Sequence, residues 1–125
     1  MSLMLLAAAA LTVAIAAVHS VLGERRIFRR LRGDGEPRLS AFQVGILWAS
    51  WHLVSLFGLA LAVALFCLAS PTGLTNLPAV LRAAVIGSMV GGAGLVGFGT
   101  RGRHPAWIAL LLVAALVAIA GDAVN

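Results

Sequence analysis

The sequence predicts an all-α fold: an integral membrane bundle of four transmembrane helices, with a short basic amphipathic extension after the first helix. Hydrophobic residues make up 62% of the 125 residues and charged residues only 10%, which is more apolar surface than a core of this size could cover in water. The apolar residues also fall in four runs, at residues 3–22, 41–68, 79–98 and 105–120. The first and third runs match the roughly 20 residues that a helix needs to cross the hydrocarbon core, whereas the second is long enough to span with tilt and the fourth is short. Residues 1–125 therefore form a single transmembrane domain.

The first run is followed by a basic segment, Glu-Arg-Arg-Ile-Phe-Arg-Arg-Leu-Arg, at residues 24–32. Its three apolar side chains share one helical face, which predicts an amphipathic extension of the first helix in the headgroup region of the lipid bilayer. The arginines from Arg25 to Arg32 predict contact with anionic phospholipid. Every basic residue of the chain is an arginine, and nearly all lie beside apolar runs. The net charge of +5 therefore indicates membrane contact and no nucleic acid partner.

Helix boundaries in the rest of the chain follow from capping residues and prolines. Ser40 and Gln43 form a capping-box pattern, so the second helix should begin at Ala41. Pro78 and Pro105 suit the first turns of the third and fourth helices.

The third run is rich in glycine and includes a GxxxG unit, Gly87 to Gly91. This unit lets two helix backbones pack closely. We expect it to pack inside the bundle, with a homodimer as the alternative. Arg82, near the start of the run, should extend to the headgroups.

The distribution of arginine predicts the orientation in the membrane. The first loop contains six arginines, the second none, and the third Arg101 and Arg103. Because short cytoplasmic loops are enriched in basic residues, the first and third loops should be cytoplasmic and both termini should lie outside. The first run has no positive residues ahead of it, which argues against a cleaved signal peptide.

One ionisable side chain, His52, lies inside the second run. Such residues are costly in a membrane and mark candidate functional sites. Trp48 and Ser55 share its helical face, and Trp51 lies next to them. An aromatic-lined pocket with a few polar groups is the usual form of a small-ligand site between helices, so these four residues are the predicted cofactor-binding residues. Two space-filling tryptophans around a hydrogen-bonded histidine would explain the same pattern.

The predicted topology also brings the three histidines of the chain to one half of the membrane. His19, His52 and His104, with Glu24, offer imidazole nitrogens and a carboxylate, which suit a transition metal. Haem held by His19 and His52 and a quinone or lipid headgroup bonded by His52 are the alternatives. The histidines lack a compact spacing, so the pattern does not decide between a metal, haem, and a quinone or lipid headgroup.

Three segments carry a resemblance: residues 18–26 with His-Ser-Val-Leu-Gly-Glu, residues 51–53 with Trp-His, and residues 102–107 with Gly-Arg-His-Pro. In these the chain resembles an uncharacterised group of small four-helix bacterial inner-membrane proteins. The resemblance implies an inner-membrane location, with both termini in the periplasm. It carries no activity with it.

Two functional hypotheses follow. The runs contain no Asp or Glu in mid-helix, which disfavours an enzyme. The first hypothesis is therefore a non-enzymatic accessory or assembly subunit, which packs against a larger inner-membrane complex through Ala- and Gly-rich faces. The second is a bundle that binds a metal, haem or quinone through histidine in the cytoplasmic half of the membrane.

Overall fold

The structure is a computed structural model that describes residues 2–33 and 39–122. These residues form helices joined by short turns, and no strand occurs among them. The four helices are α1 (Leu3–Leu22), α2 (Ala41–Ala69), α3 (Gly73–Gly99) and α4 (Ala106–Asp122). The predicted all-α fold of four helices is confirmed.

Three of these helices are long and apolar enough to cross a membrane. They are the continuous helix Leu3–Leu31, the whole of α2, and Thr75–Gly99 within α3. The apolar part of α4, Ala106–Ile119, is shorter. The composition of the chain and the length of its helices thus both indicate a membrane protein.

The basic segment continues α1 through a π-helical turn. The turn covers Gly23–Phe28, and a final α-helical turn, Arg29–Leu31, completes the extension. Phe28 is only 2% exposed and lies edge-on to Trp51, with ring centroids 6.1 Å apart. The arginines of the turn are exposed, so the extension is amphipathic. π-Helical turns are rare and are often found at functional sites.

The helix starts agree with the sequence pattern in α2 and differ from it in α3. The capping box at the start of α2 is present: the Ser40 hydroxyl accepts from the Gln43 backbone, and the Gln43 side chain accepts from the Ser40 backbone. Helix α3 begins at Gly73 rather than Ala79, which places Pro78 inside the helix. Since Pro has no N–H to donate, the carbonyl one turn earlier loses its usual partner.

Each helix packs against its neighbours in sequence. In the described part of the chain, the extensive helix contacts join α1 to α2, α2 to α3, and α3 to α4. The first pair is antiparallel, since the Ser2 backbone N–H donates to the Ala69 carbonyl at 3.1 Å. Helices α2 and α3 are therefore the centre of the bundle, and α1 and α4 lie at its sides.

Glycines bring α2 and α3 into backbone contact. A Cβ atom at Gly45 would collide with the Gly99 carbonyl, so the two backbones touch where these helices meet. Gly91 accommodates the Leu56 side chain from α2, whereas Gly87 faces open space. Only the second glycine of the GxxxG unit therefore packs inside the bundle.

The first and third connections lie at the same end of the bundle. We call it the basic end, and it carries the following exposed arginines: Arg25, Arg26, Arg29, Arg30, Arg32, Arg101 and Arg103.

Candidate functional site

A hydrogen-bonded cluster surrounds His52 at the interface of α1 and α2. His52 Nδ1 lies 3.0 Å from the Ser20 hydroxyl of α1. The same hydroxyl lies 2.8 Å from the hydroxyl of Ser55, which is buried one turn further along α2. Ser20 thus links two residues of the facing helix, so the hydroxyls of Ser20 and Ser55 and the Nδ1 atom of His52 have partners within this apolar interface.

Glu24, on the π-helical turn, completes the cluster towards the basic end. Its Oε2 accepts a hydrogen bond from Trp48 Nε1 at 3.0 Å and lies 3.9 Å from His52 Nε2. Its Oε1 accepts a hydrogen bond from Arg32 at 2.7 Å. The Glu24 side chain is 36% exposed and that of His52 17%. The carboxylate therefore lies between the half-buried imidazole and the open basic end.

Trp51 acts as a packing residue between α1 and α2. Its indole N–H donates to the His19 carbonyl at 3.0 Å, and the His19 ring stacks on the indole with centroids 4.2 Å apart. Gly23 makes this possible, because a Cβ atom there would overlap the indole ring. Two ring nitrogens at this interface, Nε2 of His19 and Nε2 of His52, are buried without a hydrogen-bond partner among the described residues.

The third predicted histidine, His104, lies in the connection before α4. Its Nδ1 accepts a hydrogen bond from the Ala106 backbone N–H at 3.1 Å, and the backbone N–H of His104 donates to the Thr100 hydroxyl at 3.3 Å. Its ring lies near Phe42, with centroids 6.3 Å apart. These contacts cap the start of α4 and occupy one of the two nitrogens that could bind a metal.

The four predicted metal ligands are not assembled as a group. Glu24 and His52 are neighbours, His19 is stacked on Trp51, and His104 serves as a cap. Within residues 2–33 and 39–122, no three His, Cys, Asp or Glu side chains lie where they could hold one metal ion.

The predicted cofactor-binding residues do lie together, but most of their polar atoms are already used. Trp48 donates to Glu24, Trp51 to a backbone carbonyl, and Ser55 pairs with Ser20. His52 Nε2 is the atom of this set that has no partner in the described structure.

The cluster contains the residue types of a hydrolytic relay without its geometry. Ser20 and His52 are within hydrogen-bond distance, but the Ser20 hydroxyl also pairs with Ser55. The 3.9 Å between His52 Nε2 and the Glu24 carboxylate exceeds a hydrogen bond. The carboxylate is instead bonded to Arg32. A Ser-His-acid relay requires both bonds in line, and the second of them is not formed in this arrangement.

A cleft of about 1210 Å³ opens beside this cluster at the basic end. Helix α2 forms its floor, and the extension of α1 and the end of α3 form its walls. Its apolar lining includes Leu31, Phe42, Trp48 and Phe98, and its charged lining is Glu24, Arg32, Arg101 and Arg103. Trp48 and Glu24 belong to both the cleft and the polar cluster, so the two are continuous.

Four of these lining residues, Phe42, Phe98, Arg101 and Arg103, were not predicted as site residues. The sequence did place both arginines in the third loop and Phe98 at the end of the third run. The sequence does not indicate the contact of Gly45 with Gly99. This contact brings the end of α3 onto the start of α2.

A second, smaller cleft of about 330 Å³ lies between α2, α3 and α4. Its lining is almost entirely apolar and includes Leu53, Leu110 and Val113, with Ser50 and His104 at its edge. It offers little polar chemistry for recognising a ligand.

No protein-family model, curated protein or solved structure matches this chain. The resemblance seen in the three histidine-bearing segments gains no support from these comparisons. The function is therefore inferred from the residues and their geometry.

Proposed function

We propose that this protein is a small, non-enzymatic, multi-pass protein of the bacterial inner membrane, and that it binds an amphiphilic molecule in the cleft at its basic end. The observation that carries this proposal is the continuity of the apolar cleft wall with the Glu24–His52 cluster through Trp48. Small-molecule sites combine a mostly apolar lining with a few convergent polar groups in this way.

The location of the cleft supports an amphiphile from the bilayer. The arginine-rich first and third loops favour a cytoplasmic location for the basic end. The three helices that are long and apolar enough to cross the membrane would then extend from this end through the bilayer. The cleft would then lie at the depth where lipid or quinone headgroups meet their tails. The unpartnered His52 Nε2 is the atom offered to a polar group that reaches past Glu24.

The experiment compares two exposed phenylalanines. Phe98 lines the cleft and is 80% exposed, whereas Phe66 is 59% exposed on α2 near the opposite end. Wild type, Phe98→Ala and Phe66→Ala are purified in mild detergent, and co-purified lipids and quinones are quantified by mass spectrometry. Absorption spectra and metal analysis are recorded on the same samples.

We expect Phe98→Ala to lose several-fold of the retained amphiphile, because the substitution removes one of the three aromatic side chains in the described lining of the cleft. Phe66→Ala should retain the wild-type amount. Equal retention by all three proteins would overturn the proposed cleft. A Soret band or a near-stoichiometric metal that is lost in His52→Ala would establish the histidine-based cofactor site instead.

A second candidate function is that of an accessory or assembly subunit of a larger inner-membrane complex. It is favoured by the uncovered side of α3, where Gly87 and Gly94 lie on one helical face and neither has an atom within 4 Å of where a Cβ would lie. Exposed small residues let a second membrane helix approach closely. Cross-linking in intact membranes tests this proposal with Gly87→Ile and Gly94→Ile.

Loss of a cross-linked species in these variants, and not in Ala115→Ile on α4, would support a partner at this face. Its mass would tell a homodimer from a complex with another protein. An uncross-linked monomer in wild type would overturn the candidate.

A further inference from the structure

The described lining of the cleft carries more positive than negative charge. It includes three arginines, Arg32, Arg101 and Arg103, and one carboxylate, Glu24. Arg32 and Glu24 neutralise each other through an ion pair of 2.7 Å. Arg101 and Arg103 are exposed and have no carboxylate partner among the described residues. Among the residues that the structure describes, the mouth of the cleft therefore presents two guanidinium groups without a neutralising carboxylate.

Arg101 occupies a backbone conformation that L residues rarely adopt. Its φ is +52°, and that of the following Gly102 is +73°. The Gly102 N–H donates to the Gly97 carbonyl at 2.7 Å and the Arg101 N–H to the Phe98 carbonyl at 3.2 Å, which is the Schellman pattern that ends a helix. Glycine is the usual residue at the position held here by Arg101. An arginine at this position is unfavourable for the turn itself.

The arginines adjoin an exposed aromatic wall. Phe98, three residues before Arg101, is 80% exposed, and its ring centroid lies 6.0 Å from that of Trp48. Phe42 lines the same cleft from the start of α2. Cationic groups at the mouth and aromatic side chains within give one site with two chemistries. A ligand that matches both carries an anionic headgroup on an apolar chain.

We propose that this cleft binds an anionic phospholipid, with its phosphate between Arg101 and Arg103 and an acyl chain along Phe98. The inference rests on the proposed amphiphile site and names the class of its ligand. Guanidinium groups donate paired hydrogen bonds to phosphate oxygens. A free anion would leave the aromatic wall unused, whereas an anionic lipid uses both parts of the site. Clusters of arginine at the cytoplasmic surface of a membrane attract such lipids.

The test measures lipid preference at matched acyl chains. Delipidated protein in mild detergent is incubated with equimolar phosphatidylglycerol and phosphatidylcholine, and the bound lipids are counted by native mass spectrometry. The variant is the double substitution Arg101→Gln and Arg103→Gln, which keeps a polar side chain at each position and removes both charges. The matched control is Arg25→Gln with Arg26→Gln, which removes two exposed charges from the same end, outside the cleft.

Wild type should retain phosphatidylglycerol in preference to phosphatidylcholine. The Arg101/Arg103 variant should lose that preference by about fivefold for each arginine removed, and the Arg25/Arg26 variant should lose clearly less, because its two arginines contact lipid only at the outside of the bundle and do not line the cleft. An unchanged preference in the first variant, or an equal loss in both, would overturn the proposed headgroup site. So would displacement of the bound lipid by millimolar inorganic phosphate, which would indicate a site for free anions.

The two proposals fail separately in this experiment. If Phe98→Ala lowers both bound lipids and the arginine variant leaves their ratio unchanged, the cleft binds an amphiphile without selecting anionic headgroups. If Phe98→Ala and the arginine variant both leave lipid binding unchanged, the amphiphile site itself is wrong.

Discussion

The indole nitrogen of Trp48 donates a hydrogen bond to the Glu24 carboxylate across the α1–α2 interface, with Nε1 and Oε2 3.0 Å apart. The other oxygen of the same carboxylate accepts from Arg32 at 2.7 Å. Glu24 is therefore bonded to its own extension and to the facing helix at once. This arrangement anchors the π-helical turn on α2 and forms the inner edge of the cleft.

Removing either partner of this bond should destabilise the fold, and removing both should cost less than the sum. We expect Glu24→Ala to lower the free energy of unfolding by on the order of 1.5–3 kcal/mol, because a hydrogen bond to a charged group is lost. With Trp48→Phe added, the combined loss should fall short of additivity by about 1 kcal/mol. Thermal unfolding in detergent measures each term of this double-mutant cycle.

The control for the cycle is Trp107→Phe. This indole donates to the Gly102 carbonyl at 3.2 Å, in the turn after α3. Its effect should simply add to that of Glu24→Ala. Full additivity for the Glu24 and Trp48 pair would show that the bond is not formed in solution.

Gly23 should be among the least replaceable glycines of the chain. A methyl group at Gly23 would overlap the Trp51 indole, so Gly23→Ala should displace that ring from the His19 carbonyl. The expected loss is on the order of 1–3 kcal/mol, with a change in tryptophan fluorescence. The matched substitution Gly94→Ala meets open space and should be neutral or slightly stabilising, by up to about 1 kcal/mol. Similar effects at both positions would contradict the packing of Trp51.

Arg101 should show a conflict between stability and lipid binding. Arg101→Gly relieves a left-handed backbone conformation, so we expect a gain of about 1 kcal/mol in the free energy of unfolding. The same variant should retain less phosphatidylglycerol. Arg103→Gly should lose the lipid without the gain in stability. Unlike Arg101, Arg103 is not among the described non-glycine residues that have a positive φ. A loss of stability in Arg101→Gly would disagree with the turn as described.

His104 should affect stability and not ligand content. Its Nδ1 caps the start of α4 by accepting from the Ala106 backbone at 3.1 Å, so His104→Ala should cost about 1 kcal/mol. His104→Asn should recover most of the loss, because the asparagine oxygen can accept the same bond. Calorimetry measures the stability, and metal analysis of the same samples measures any bound ion. Loss of a bound metal in His104→Ala would return this histidine to a ligand site.

Much of the fold and part of the cluster could be predicted because they follow from local pattern. The length of the apolar runs predicts the helices, and the capping residues Ser40 and Gln43 predict the start of α2. Antiparallel packing places Ser20 of α1 and Glu24 of its extension at the level of His52 on α2. Hydrogen bonding in an apolar interface then draws these polar side chains together.

The cleft and the separation of His104 could not be predicted, since they depend on how the helices rotate and cross. The π-helical turn at Glu24 has no signature in hydrophobic periodicity. The approach of Gly45 to Gly99 depends on two backbones meeting across α2 and α3. The prediction of His104 as a metal ligand rests on its depth in the membrane, whereas its role as a cap depends on the turn after Thr100.

The order of packing along the chain has a consequence for how the protein is made. Each large interface joins segments that leave the ribosome one after the other, so the α1–α2 hairpin, with the half-buried His52 imidazole already bonded to Ser20, can close before α3 is synthesised. Helix α3 then completes the cleft when its last turn reaches Gly45, and α4 docks on a surface that is already formed. Low separation in sequence between contacting segments favours rapid assembly, and in this chain the proposed lipid site is complete only after the penultimate helix has been synthesised.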